Sequence, residues 1–194
     1  MEENKASVKQ KPIKPSPLVK ELIAKTDEIK QESPRARIII FLSYIDELLK
    51  KLLIAKLVIS PGRGDELFDP GEPMFYFGAR IELAYRLGMI SSQMKHDLDM
   101  LRRIRDICAH DHSKKSFEND EIKSRVDQIH KDMKYCDQLE TDVSKKFNDI
   151  CSNIVIELGT EMENTKRFQP RPLEMWYQER SEILKVINKR SKQA

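Results

Sequence analysis

An all-α bundle of about five to seven helices is predicted by three observations. Apolar residues recur at intervals of three and four along most of the chain, which is the spacing of one helix face. Glycine is scarce, with 6 in 194 residues, and it gathers with proline in residues 60–73 rather than punctuating many short strands. No stretch shows strict apolar–polar alternation, and no segment repeats at the periods of solenoids or propellers.

The elements follow in order. Residues 1–16 are rich in Lys and Pro and are expected to be a disordered basic tail. A short helix fits 17–31 on Leu18, Leu22, Ile23 and Ile29. Ser33-Pro34 then closes one segment and opens the next, because Pro suits the first helical position. The run RARIIIFLSYIDELLKKLLIAKLVI at 35–59 is the central helix, with Ile38, Phe41, Leu42, Ile45, Leu48, Leu49, Leu52 and Val58 on one broad face. SPGRGDELFDPGEP at 60–73 is a redirecting loop that anchors Phe68 against the bundle. Helices over 74–88, capped by Gly88, and 92–109, capped by Ser91 or Ser92, come next. SFENDEI opens another, with acids in its first turn where the helix dipole favours them. From Ile122 to Leu158 the apolar spacing, which includes Met133, Cys136 and Leu139, describes one long helix or two broken near 136–142. Pro170 and Pro172 precede a last amphipathic helix at 173–188. The bundle is thus assigned to 17–165, and 166–194 to a basic tail carrying that helix.

Charge narrows the function classes. The net charge is +3, with an excess of +3 in residues 1–20 and +5 in 166–194, so the remainder carries −5. A body of that sign is a poor general nucleic-acid binder, because phosphate affinity needs clustered cations. A helix-turn-helix reading around Gly88 fails on the same ground: Asp97 and Asp99 with Lys95 occupy the half of the helix that would face bases. No membrane span or secretory signal is expected, and three cysteines without CxxC spacing suit a reducing cytoplasm. Phosphate-loop, dinucleotide and zinc-protease motifs are missing, and His110 and His112 beside Asp111 lack a further spaced ligand, so neither cofactor nor metal is expected.

The segment with the most chemistry is RRIRDICAHDH at 102–112. His110 could act as a general base on a ribose hydroxyl, and Arg105 could steady the charge on phosphorus. On a straight helix, however, five residues turn the chain by about 140°, so Arg105 and His110 diverge while Asp106 and His110 share a face. Convergence needs a bend near Cys108 or a second chain across a symmetric interface. Otherwise the group is polar decoration at a helix end.

The stretch DELFDPGEPMFYFGARIELAYRLGMI at 65–90, followed by LRRIRDICAH and SFENDEI, resembles the MtlR (mannitol operon repressor) family. Arg80, Ile81, Leu83, Ala84, Tyr85, Leu87, Gly88 and Ile90 carry the first part of the likeness, and Arg105 with His110 the last, over roughly residues 35–135. The resemblance implies a helical regulator without a DNA-reading domain, acting in repression through protein partners. Phe68, Arg102, Arg103 and Trp176 are the expected partner contacts, with a homodimer and RNA as further partners to test. The Arg-x4-His segment also resembles HEPN domains, which include metal-independent ribonucleases and RNA binders. That is the alternative reading, with Arg105, His110 and Asp106 as catalytic residues. HEPN domains commonly place Asn after the Arg; Asp106 stands there in this chain. A third class is an oligomerisation module, which would expose a contiguous apolar patch.

Overall fold

The computed structural model describes residues 15–60, 65–110, 116–133 and 139–191, the side chains of Trp176 and of 186–191 excepted. Among these residues there are seven α-helices, two short 3-10 turns and no strand. The helices are α1 (Pro17–Ile29), α2 (Pro34–Lys56), α3 (Phe77–Arg86), α4 (Ser92–His110), α5 (Asp120–Asp132), α6 (Val143–Asn164) and α7 (Leu173–Ser191). The all-α bundle expected from periodicity is what the chain forms. Of the tail expected at 1–16, residues 1–14 lie outside the described residues, and Ser16 belongs to the fold instead: its Oγ accepts from the Val19 N–H at 3.1 Å and caps α1.

α2 is the centre because its sequence leaves it no other place. Eight of its apolar side chains, from Ile38 to Leu53, are buried, and it packs against α1, α3, α4 and α6. α5 and α6 close one side, and α3 and α4 the other. Burial of side chains this large supplies most of the drive to fold, roughly 1.5–3 kcal/mol for each. Phe41 of α2 meets Phe147 of α6 edge to face, with centroids 6.1 Å apart.

Local chemistry sets the helix ends. Gly88 has φ +70, and the Met89 N–H reaches back to the Ala84 carbonyl at 2.9 Å, closing α3 with the left-handed cap that glycine permits. Ser91, rather than Ser92, caps α4, its Oγ accepting from the Met94 N–H at 3.0 Å. Asn119 caps α5, accepting from the N–H groups of Glu121 and Ile122. At the end of α2, the Lys56 carbonyl accepts from the Phe168 N–H at 2.7 Å and the Leu57 carbonyl from Arg167 at 3.0 Å. The segment after α6 thus satisfies carbonyls that a helix terminus leaves open.

Three expectations need correction. Val58 is 41% exposed, because α2 ends at Lys56 and the chain turns away before the apolar face repeats. The apolar run from Ile122 takes the second of its two expected forms, two helices, but Leu139, between them, is 88% exposed rather than part of an apolar face; Cys136 lies outside the described residues. α3 begins at Phe77, three residues later than periodicity suggests, because the Met74 and Phe75 carbonyls are held by a side chain instead of a helix.

α1 and α6 touch where glycine is required. A Cβ on Gly159 would collide with Leu22 Cδ1, and Leu22 is itself buried. Gly159→Ala should therefore force Leu22 out of place and destabilise the protein by about 1–2 kcal/mol, overpacking outweighing the gain in helix propensity. Urea denaturation checks this; a stabilised variant would show that α1 yields without cost.

Candidate functional site

The site is built from Asp46 outward. Asp46 lies on the flank of α2, with its side chain 19% exposed. Arg80, on α3, places Nη1 2.6 Å from Asp46 Oδ1. The same guanidinium donates from Nε to the Met74 carbonyl and from Nη2 to the Phe75 carbonyl, each at 2.8 Å. All three nitrogens are thereby used, and this suits the fixed fork of an arginine better than any lysine. Arg105, on α4, brings Nη1 to 3.7 Å from Asp46 Oδ2, and its guanidinium lies 5.3 Å from the Phe77 ring centroid. One carboxylate therefore ties three helices together. Burial pushes the Asp46 carboxyl above its ordinary range, and the charge of Arg80, then that of Arg105, pulls it back.

What this brace holds is the turn from Asp65 to Tyr76. Phe68 is 2% exposed, with Arg80 6.0 Å from its ring centroid. It anchors the turn from beneath, as its place in the Gly/Pro stretch suggests. The same burial means that Phe68, expected as a partner contact, offers almost no surface to a partner. Leu67 (38%), Phe75 (40%) and Tyr76 (66%) are exposed, the last two with their rings edge to face at 5.3 Å. Glu66, Asp69 and Glu72 are exposed around them. The turn thus exposes apolar and aromatic side chains together with three acids, on a backbone that Arg80 and Phe68 fasten to the bundle.

The other expected site residues are arranged along α4. Arg102 pairs with Asp106 (3.5 Å) and Asp99 (3.8 Å). Asp106 thus has an arginine partner one turn earlier. Arg103 is exposed, and His110 is exposed at the last position of the helix. α4 runs unbroken through Cys108, so Arg105 and His110 point about 140° apart within one chain. His112 and the Trp176 side chain lie outside the described residues. Cys108 and Cys151 are buried free thiols, and burial pushes both above their ordinary range, Cys151 well above. Among the described residues no group of three His, Cys, Asp or Glu is placed to hold a metal ion, and no helix is long and apolar enough to cross a membrane.

Sequence reasoning reached Arg105 and Phe68 but missed Asp46 and the buried role of Arg80. The readable signal was an arginine on the apolar face of the third helix, between Phe77 and Ile81. A cation there requires a buried partner.

Comparison with known proteins places this architecture. The fold is similar to that of a chain in the X-ray structure of the MtlR-HPr complex from Escherichia coli, with a TM-score of 0.56 and 16% sequence identity, covering 74% of this chain and 99% of that one. No curated protein matches the chain. The family model described as MtlR, mannitol repressor, matches residues 35–181, extending past the 35–135 stretch legible by eye, through α6 and into α7. With far more than half of its length matched, the chain belongs to the mannitol repressor family.

Proposed function

We propose that this protein is a cytoplasmic regulator associated with transcriptional repression, and that it works by docking a protein partner on the surface of residues 65–76 rather than by reading DNA. The observation that carries the reading is the braced turn itself. Leu67, Phe75 and Tyr76 are exposed together, and exposed aromatics on a rigid base are the usual anchors of protein interfaces. The acids around them select a partner that presents apolar side chains among basic ones. The similar E. coli structure is a complex with HPr, and an HPr protein is the partner we carry to this chain. Arg103, exposed on α4, remains a proposed further contact, as does Trp176.

The arrangement of cations supports this reading over RNA cleavage by Arg105, His110 and Asp106. Arg80 and Arg105 share Asp46, and Arg102 faces Asp99 and Asp106, so the charge a phosphate would need is largely met by local carboxylates.

The test is calorimetric titration with HPr from the same host. Wild type should bind, and Tyr76→Ala and Phe75→Ala should each weaken binding by about 30-fold or more, as hot-spot truncations do, with unchanged melting temperature. Full affinity in both variants would exclude this surface. Metal-free cleavage of RNA by wild type, lost in both Arg105→Ala and His110→Ala, would overturn the reading in favour of a nuclease.

A further inference from the structure

Away from the braced turn, α4, α5 and α6 enclose a cavity of about 210 Å³, and a second of about 140 Å³ adjoins it, sharing Ser91, Met94 and Glu157. Together they form a groove with an apolar floor of Met89, Met94, Met133 and Ile154 and four carboxylates, Asp97, Asp132, Glu157 and Glu161. No Lys or Arg is among the described residues lining it. Methionine floors adapt to the side chains of an incoming helix. Asp97 is 2% exposed; it accepts from the Gln93 amide at 3.0 Å and has no ion pair among the described residues. Burial pushes its carboxyl above the ordinary range. A buried carboxylate beside Asp132 and Glu157, opposed only by the Gln93 amide and the charge of His96, gains from a further cation.

The same chain carries a helix with the complementary face. α7 has 19 residues, and its side chains at 173–175 and 177–185 are all exposed. At 100° per residue, Leu173, Tyr177, Arg180 and Leu184 fall within an arc of about 60°. A helix of this length draws little stability from its own propensity and depends on burying such a stripe. Arg180 in its middle suits a seat with a carboxylate at its base and a methionine floor, and residues 166–194 carry +5 against −5 for the body. With these side chains exposed, α7 does not occupy the groove of its own chain. Arg167 and Phe168 are fixed to the end of α2, Lys56 lies 4.6 Å from the Phe168 ring centroid, and only 169–172, with Pro170 and Pro172, separate this anchor from α7.

We infer that α7 is the docking arm of a homodimer: its Leu173–Leu184 stripe seats in the acidic, methionine-floored groove of a second copy, with Arg180 toward Asp97, and the second copy returns the same contact. Reciprocal exchange of this kind closes a twofold assembly and leaves the 65–76 surfaces outside it. The inference is independent of the partner proposed for that surface.

Analytical ultracentrifugation of the full chain tests it. Wild type should sediment as a dimer at micromolar concentration. Leu184→Asp, Arg180→Glu and Glu157→Lys, all at exposed positions, should each raise the dimer dissociation constant by about 30-fold or more while leaving helical content and HPr affinity unchanged. Combining Arg180→Glu with Glu157→Lys should restore part of the loss. A monomeric wild type at high micromolar concentration, including one whose α7 folds back on its own groove, overturns the inference. So does a dimer indifferent to Leu184→Asp. A dimer broken by Leu184→Asp but indifferent to Glu157→Lys overturns the groove as the seat.

Discussion

Arg80→Ala should lower the stability of the protein by about 3–5 kcal/mol, the usual cost of removing one partner from a buried ion pair. The side chain is 8% exposed and meets three acceptors at 2.6–2.8 Å. Its loss strands two carbonyls of the turn and leaves Asp46 with only Arg105, at 3.7 Å, as a counter-charge. Arg80→Lys should recover less than half of the deficit, because one ammonium cannot serve three acceptors in a plane. The deficit should also depend on pH in a defined direction. Arg80 lowers the Asp46 carboxyl in the folded protein, so its removal raises that pKa further. The folded variant then holds its proton to higher pH than folded wild type, and the deficit grows as pH rises through the Asp46 titration and shrinks as pH falls below it. Urea denaturation at neutral and acid pH measures both effects. Because Arg80 fixes Met74 and Phe75, HPr affinity should fall with stability, and the turn should become open to limited proteolysis. A deficit below about 1 kcal/mol would mean that Phe68 alone holds the turn in place.

The order and central member of the helices, and their number to within two, were legible in the sequence because each depends on local information. The stripe from Ile38 to Leu52 needs no knowledge of its neighbours, and Gly88, Ser91 and Asn119 act on bonds within a few residues. What escaped depends on distance. Asp46 and Arg80 are 34 positions apart, and nothing in SYIDELLKK says which of its acids turns inward. Val58 and Leu139 keep the period of the helices they follow, but the backbone has already left the helix, and periodicity cannot see a helix end that lacks a glycine or proline. The candidate site was legible in half. The Gly/Pro stretch and Phe68 marked the turn, whereas the exposure of Tyr76 and the pairing of Arg105 with Asp46 come only from three helices converging on it.

Phe147→Ala should cost about 3–5 kcal/mol, and its effect should spread to one identifiable place. Phe147 is fully buried near the start of α6. Its ring meets Phe41 of α2 at 6.1 Å and Phe117, in the 3-10 turn Ser116–Glu118, at 5.3 Å. The residue therefore links the central helix, the outer helix and the turn that leads into α5. Deleting it leaves a cavity that two rigid rings cannot collapse to fill, and this is the condition under which large-to-small substitutions cost most. A double-mutant cycle with Phe41→Leu should give a coupling of about 0.5–1.5 kcal/mol, the worth of an edge-to-face pair beyond the area it buries. Hydrogen exchange should accelerate first at Ser116–Glu118 and the start of α5, since Phe117 ties that turn to the Phe147 ring. The central stretch of α2, whose apolar face from Ile38 to Leu53 is buried, should keep its protection to the global unfolding limit. Uniform acceleration across α2, α5 and α6 would instead show that the three elements open as one unit and that the aromatic link is no weaker than the rest of the core.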